Sequence, residues 1–370
     1  MKFSISSGEL VNGLSGVIGA IPAKATLPIL EFVKIETENK KLKLTATNLE
    51  VSIIKYIGAE IETEGAVCMP ARRLLETLKQ LPDIPLTFEI SEQSEIKFKT
   101  DRGNYKLIGE KAVDYPDIPS LDGQAIKTNT EILKDAIRKT SFAVSHDELR
   151  PAMMGVFFQI GTEETIIAAT DGHRLVRLSR KDLVSPAPVE FIAPEKALNL
   201  ALKSLQEEDC EIVVADTHVL FNGGSTIVVS SLINEQYPNY ESVIPRENDK
   251  TMKINREQML STVRRVSIFS SSTTRQVRLS LTSGELVISA EDIDMNSEAK
   301  ESNACEYEDD PLEIGFNAKY LADVLGNIED PEVTFEFSTP NRAGIVRPSQ
   351  QDDDEDMLML VMPVMLNSYA

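Results

Sequence analysis

The chain has 370 residues, with 38 basic and 59 acidic side chains and a formal charge of −21. So acidic a balance argues against a surface devoted as a whole to nucleic acid. The opening stretch from Met1 to Ser7 has no long apolar core, and no run reaches the ~18 apolar residues of a membrane span, so a soluble, unsecreted, cytoplasmic protein is expected. Cys68, Cys210 and Cys305 are odd in number and far apart, which excludes a disulfide framework and a zinc site and leaves buried free thiols.

A helical pattern runs from Glu9 to Ile18, and a polar/apolar alternation from Lys41 to Ala46 reads as a strand ending at the turn residue Asn48. A second helix follows over Pro70–Lys79. The same order then returns twice. Glu131 to Thr140 is helical, Glu164 to Ala169 alternates and ends at Asp171, and a helix starts at Pro194. Glu257 to Val266, Glu285 to Ala290 with Asp292, and a helix from Asn317 repeat the order again.

Matched positions fall in register. Arg72, Lys196 and Lys319 coincide, as do Leu74, Leu198 and Leu321, then Leu78, Leu202 and Leu325, and in the preceding helices Leu14, Ile137 and Val263. Leucines four apart mark one helical face, and a basic residue two positions before the first of them lies on another side. The period, close to 123 residues, is domain-sized rather than solenoid-sized. Three α+β domains follow, over 1–123, 124–249 and 250–370. Polar joints at 119–124 and 245–249 are too short to let them swing freely.

Charge is segregated. The helical stretches, together with Lys24, hold thirteen basic against seven acidic side chains, a net +6 within a chain of −21. That pattern predicts a positive lining on a negative body. The helices offer Arg72, Lys79, Lys134, Arg138, Lys196, Lys203, Arg264 and Arg265 as lining residues. Read singly, each helix is an ordinary solvated face. The threefold register favours the lining.

The opening Met1-Lys-Phe, Thr26–Leu30, Thr170–Leu175, Tyr237–Tyr240 and Val361–Pro363 together resemble the bacterial sliding clamps, the beta subunits of the replicative DNA polymerase, over essentially the whole length. The resemblance implies two copies of this chain joined head to tail in a closed ring of six domains. Twelve helices would line the hole, and the antiparallel sheets would run continuously outside. It adds Lys24, Arg73 and Arg150 as contacts to duplex DNA, bound without sequence preference.

The resemblance also implies a pocket for short linear motifs of the replicative polymerase, clamp loader, repair and translesion polymerases, mismatch-repair proteins and ligase. It would be built from Met153, Thr170, Gly172, His173, Arg174, Leu175, Pro238, Val243, Val346, Val361, Met362, Pro363 and Val364, with Asn317 and Tyr320 nearby. At the subunit joint it places Arg102 and Tyr105 against Ile268 and Phe269, with Glu298 and Glu301 pairing across it. Three departures stand out: Pro151 and Ala152 where the family often has aromatics, Met365 in place of a basic residue, and a terminal extension Asn367–Ala370.

No catalytic, metal or cofactor site is expected. Asp171 beside His173 suggests a general base, but the repeat already explains Asp171 as a strand-end turn, and there is no phosphate loop or nucleophile elbow. Asp352–Asp356 reads as a solvated loop, since five consecutive carboxylates lack calcium-loop spacing. The final run from Met357 is either a buried last strand or a pocket wall. A protein-interaction scaffold without DNA is the alternative function.

Overall fold

The computed structural model describes residues 1–100 and 103–366. Arg102 and the extension Asn367–Ala370 lie outside the described residues. The chain divides into two compact units, Met1–Lys134 with Ala193–Ile233, and Asp135–Ile192 with Asn234–Ala370.

The first unit holds two antiparallel sheets. One has the order β5 (Glu60–Thr63), β1 (Lys2–Ser6), β7 (Pro85–Ile90), β8 (Glu95–Thr100), β9 (Gly103–Ile108). Phe3, Phe88, Phe98 and Tyr105 stand opposite one another along it and stack at 5.0, 4.8 and 4.7 Å, so cross-strand aromatic pairs fix its register. The other sheet has eight strands: β10 (Ala125–Asn129), β15 (Asp209–Val214), β16 (His218–Asn222), β17 (Thr226–Ser231), β4 (Val51–Gly58), β3 (Lys41–Thr47), β2 (Phe32–Glu38) and β6 (Ala66–Pro70).

The second unit repeats the scheme. Its eight-stranded sheet runs β14 (Val189–Pro194), β11 (Gly155–Ile160), β12 (Thr165–Thr170), β13 (Arg174–Arg180), β25 (Glu355–Val361), β24 (Gly344–Pro348), β23 (Glu332–Phe337), β18 (Lys250–Asn255). Its five-stranded sheet runs β21 (Ser297–Ala304), β20 (Glu285–Asp292), β19 (Gln276–Thr282), β22 (Leu312–Asn317), β26 (Pro363–Val364). The compact units cut across the repeat because strand pairing does. β17 of the second copy pairs with β4 of the first, and β13 of the second with β25 of the third.

Among the described residues there are six α-helices: α1 (Ser7–Val17), α2 (Ala71–Lys79), α3 (Thr130–Ser141), α4 (Glu195–Ser204), α5 (Arg256–Ser267) and α6 (Ala318–Gly326). α1 lies against α2, and α5 against α6. Ser6 and Asn255 cap α1 and α5 by accepting from the backbone N–H of Glu9 and Gln258. Leu74, Leu78, Leu198, Leu321 and Leu325 are buried, as the period requires. Leu202, the sixth of the set, is half-buried. Among the described residues, no helix is long and apolar enough to cross a membrane.

The turn residues carry the repeat to atomic detail. Asn48 Oδ1 accepts from the N–H groups of Glu50 and Val51, Asp171 Oδ1 from those of His173 and Arg174, and Asp292 Oδ1 from that of Met295. Each side chain completes the turn its own strand cannot close. The acidic run is only partly a solvated loop. Asp352–Asp354 are exposed, but Glu355 opens β25 and pairs with Lys139 and Arg180. The sequence could not show this, because Lys139 is 216 residues away. Cys68 and Cys210 are buried, and Cys305 is half-exposed rather than buried.

Candidate peptide cleft and nucleic-acid interface

At the end of β12 and β13 the chain leaves an apolar cleft of about 140 Å³. Met153, Thr170, Gly172, Arg174, Leu175, Pro238, Asn239, Tyr240, Val243, Leu360 and Met362 line it. Beneath lies a packed cluster of Ala168, Leu175, Tyr240, Ala343 and Leu360, so the floor is fixed by core packing. Val243 and Met362 are exposed at the lip, 51% and 39% accessible. Partly exposed apolar side chains over a rigid apolar floor suit a partner's hydrophobic anchor.

Why the chain opens here follows from the turn between β12 and β13. Thr170 Oγ1 donates to the Arg174 carbonyl and accepts from the N–H of Gly172, which sits at φ +87°. That φ is one L side chains rarely adopt, so the turn needs glycine there, and a Cβ would also displace the Arg150 Nη1 that stands 2.9 Å from its position. Arg150 is itself held at this rim, its Nε donating to Asp147 and its Nη1 to the Asp171 carbonyl. The N–H of Leu149 and then Arg150 keep the Asp147 carboxyl below the usual carboxylate range.

Arg174 braces one side. It is 7% accessible, donates through Nη2 to the Phe142 carbonyl at 2.7 Å and through Nη1 to Asp323, and lies over the rings of Phe142 and Tyr320. His173 stacks on Tyr320 at 5.3 Å, and Asp171 directs its carboxylate to backbone N–H groups and to Arg174. The pairing of Asp171 with the His173 backbone is therefore turn architecture, not a general-base arrangement.

Several expected pocket residues do not line this cavity. Val346 and Val361 are core residues of β24 and β25, and Pro363 and Val364 form β26, which pairs with β22. Asn317 caps α6, and Tyr320 and His173 flank Arg174 rather than the cleft. The chain changes sheets at Met362, whose N–H donates to the His173 carbonyl. Asn239, Tyr240 and Leu360 were missed. Leu360 lies two residues from Met362, a strand-period signal, and Tyr240 closes the Tyr237–Tyr240 motif.

The same backbone frame recurs between the first two copies. Ser231 N–H donates to the Glu50 carbonyl as Met362 does to that of His173, and Thr47 Oγ1 accepts from Leu49 as Thr170 does from Gly172. There the lining is Leu49, Glu50, Ser52, Asp117 and His218 among others, and the cavity shrinks to about 100 Å³.

Of the candidate DNA-facing cations, Lys24, Arg73, Lys79, Arg138, Lys196, Lys203 and Arg264 are exposed. Arg72 is exposed too, with Nη2 on the carbonyls of Ile21 and Pro22. Lys134 pairs with Glu131, and Arg265 pairs with Glu301 at 2.6 Å within the chain. Lys139 and Arg256 are engaged as well, Lys139 by Asp135 and Glu355, Arg256 by carbonyls at the end of α6. A count of helix cations thus overstates the outward charge.

Two of the edge strands among the described residues are long enough to take a further strand and belong to the five-stranded sheets. β9 pairs with β8 alone, and β21 with β20 alone. Ile268, 78% accessible, and Phe269 stand beyond the end of α5, and Tyr105 is half-buried on β9. Glu298 is exposed on β21.

Three family profiles match in succession: the N-terminal, central and C-terminal domains of the DNA polymerase III beta subunit, over 1–119, 127–239 and 241–365. The beta sliding clamp of Pseudomonas aeruginosa is 32% identical over 372 residues, 99% of this chain and 100% of that one, and that of Bacillus subtilis 29% identical over 98% and 99%. A crystal structure of the P. aeruginosa sliding clamp superposes with a TM-score of 0.93 at 31% identity, covering 99% and 100% of the two chains. The B. subtilis clamp gives 0.93 at 28%, covering 99% of each. With three successive clamp domains and relatives matched end to end, the chain belongs to the beta sliding clamps, the beta subunits of bacterial DNA polymerase III.

Proposed function

We propose that two copies of this chain close into a ring around duplex DNA and, without chemistry of their own, tether the replicative polymerase and other replication and repair proteins by short motifs bound in the cleft at Met362. The threefold recurrence of exposed cations at Arg72, Lys196 and Lys319 carries the DNA half of the reading. An acidic body repels duplex elsewhere, so a sequence-independent attraction confined to the helix faces favours sliding. The three clamp domains would span 1–123, 124–249 and 250–370.

The open edges β9 and β21 and the exposed Ile268 and Phe269 support the dimer. An unpaired edge is a template for another strand, and a head-to-tail contact that closes after two subunits would use β9 and β21 in both copies. For the cleft, the support is its apolar floor and flexible methionines. The P. aeruginosa clamp has been crystallised bound to griselimycin, so that compound is a direct probe here.

The test loads the protein onto nicked circular DNA and then linearises the circle. Retention on circles with loss through free ends is expected. Equal retention on both forms refutes a ring held by topology.

A further inference from the structure

α1 differs from its counterparts. Its sequence contains Glu9 and no basic residue. Aligned on Leu14, Ile137 and Val263, the next two positions are Ser15 and Gly16 in α1, Arg138 and Lys139 in α3, and Arg264 and Arg265 in α5. Both cations of the other copies are missing from the first.

The strand beneath compensates. Cross-strand pairs Ala46–Ile53, Ala169–Val176 and Ala290–Ala299 align the copies, and two residues on stand Lys55, Leu178 and Glu301. In the third copy the helix position and the strand position touch, as the Arg265–Glu301 pair. In the first, the helix side is a bare glycine and the strand side is a lysine. A Cβ at Gly16 would stand 2.7 Å from Lys55 Cδ and 3.0 Å from its Nζ, so the side chain fills the gap that the glycine leaves.

Lys55 is 8% accessible, and the partner of its ammonium is no carboxylate but the amide oxygen of Asn12, at 3.4 Å. Asn12 and Ser15 lie on the exposed face of α1. The stem is covered, and the ammonium reaches Asn12 on that exposed face, as the head of a long cationic side chain can. Among the described residues no carboxylate pairs with this ammonium, which leaves its charge to act on the face beside it.

We propose that Lys55 is the phosphate-directed cation of the first copy, passed from β4 through the gap at Gly16 to the face of α1, where the other copies carry their cations on the helix. The proposal rests on the reading that these helix faces look onto duplex DNA.

The experiment measures binding of the intact dimer to a fluorescein-labelled linear duplex by anisotropy across a fourfold range of KCl. Three proteins are compared, the unaltered chain, Lys55→Met, and Lys55→Met with Ser15→Arg. Methionine keeps the buried shape without the charge, and Ser15→Arg places a cation where α3 and α5 have theirs. Each lost phosphate contact lowers the salt slope by about 0.9, so over that range Lys55→Met should lose about 3.5-fold less affinity per contacting protomer than the unaltered chain. The double variant should recover the original slope.

An unchanged slope in Lys55→Met, with the unaltered chain retained on nicked circles, overturns the role of Lys55. An unaltered chain that is not retained on circles overturns the ring reading instead. A reduced slope that Ser15→Arg fails to restore assigns Lys55 a packing role and also counts against the proposal.

Discussion

Removing Arg174 should cost more than a lip residue of the cleft ordinarily would. In Arg174→Ala the Phe142 carbonyl loses a charged donor, a loss of about 1.5–3 kcal/mol. The contacts over Phe142 and Tyr320 add about 0.5–1 kcal/mol each. The bond to Asp323 adds about 0.5 kcal/mol, discounted because that carboxylate is 37% exposed and rehydrates. The total is about 3–5.5 kcal/mol, equivalent to a melting midpoint lower by roughly 6–22 °C for a unit of this size.

Arg174→Lys separates geometry from charge. One ammonium cannot reach the Phe142 carbonyl and Asp323 as a planar fork does, so about half the loss should remain. Calorimetry reads the midpoints, and anisotropy with labelled griselimycin reads the cleft, which should weaken in step. A loss under about 1 kcal/mol in Arg174→Ala would refute the bracing role, as would Arg174→Lys melting with the unaltered chain.

Met362→Ala should weaken griselimycin binding by about tenfold through lost apolar contact, whereas Pro363→Ala, in β26 and outside the cleft lining, should change it little; equal effects would contradict the placement. Ile268→Glu with Phe269→Glu should convert an assembly of twice 41.0 kDa to single chains by sedimentation; an unaltered dimer would move the joint elsewhere. Arg180 holds the Asp182 carboxyl below its ordinary value, chiefly by a hydrogen bond. Its stabilisation is therefore present above the unfolded pKa of about 4 and lost as pH falls through the lower folded value. The gap in melting midpoint between the unaltered chain and Asp182→Asn should close only in that acid range, and a gap unchanged down to strong acid would contradict the pairing.

The repeat was legible because three copies of one pattern separate signal from local noise. The turn residues Asn48, Asp171 and Asp292 were recognisable for the same reason, and each closes its turn as expected. Pairing between distant side chains was not legible. Lys139 counts as a helix cation in sequence, yet β25 brings Glu355 to it; burial pulls that ammonium down, and the carboxylates of Glu355 and Asp135 more than restore it. The cleft was half legible. A motif places Gly172 and Met362 near a site, but only strand register decides that Leu360 faces it while Val361 packs into the sheet.

The two eight-stranded sheets mean that the unit duplicated in the sequence is not the unit that can be cut out. A fragment ending at residue 123 would keep β4 and lose β17, leaving a row of bare amide and carbonyl groups along Val51–Gly58. Such a fragment should aggregate or pair with copies of itself. In the present chain the first copy therefore depends on the second, and the second on the third, to cover a strand it cannot pair itself.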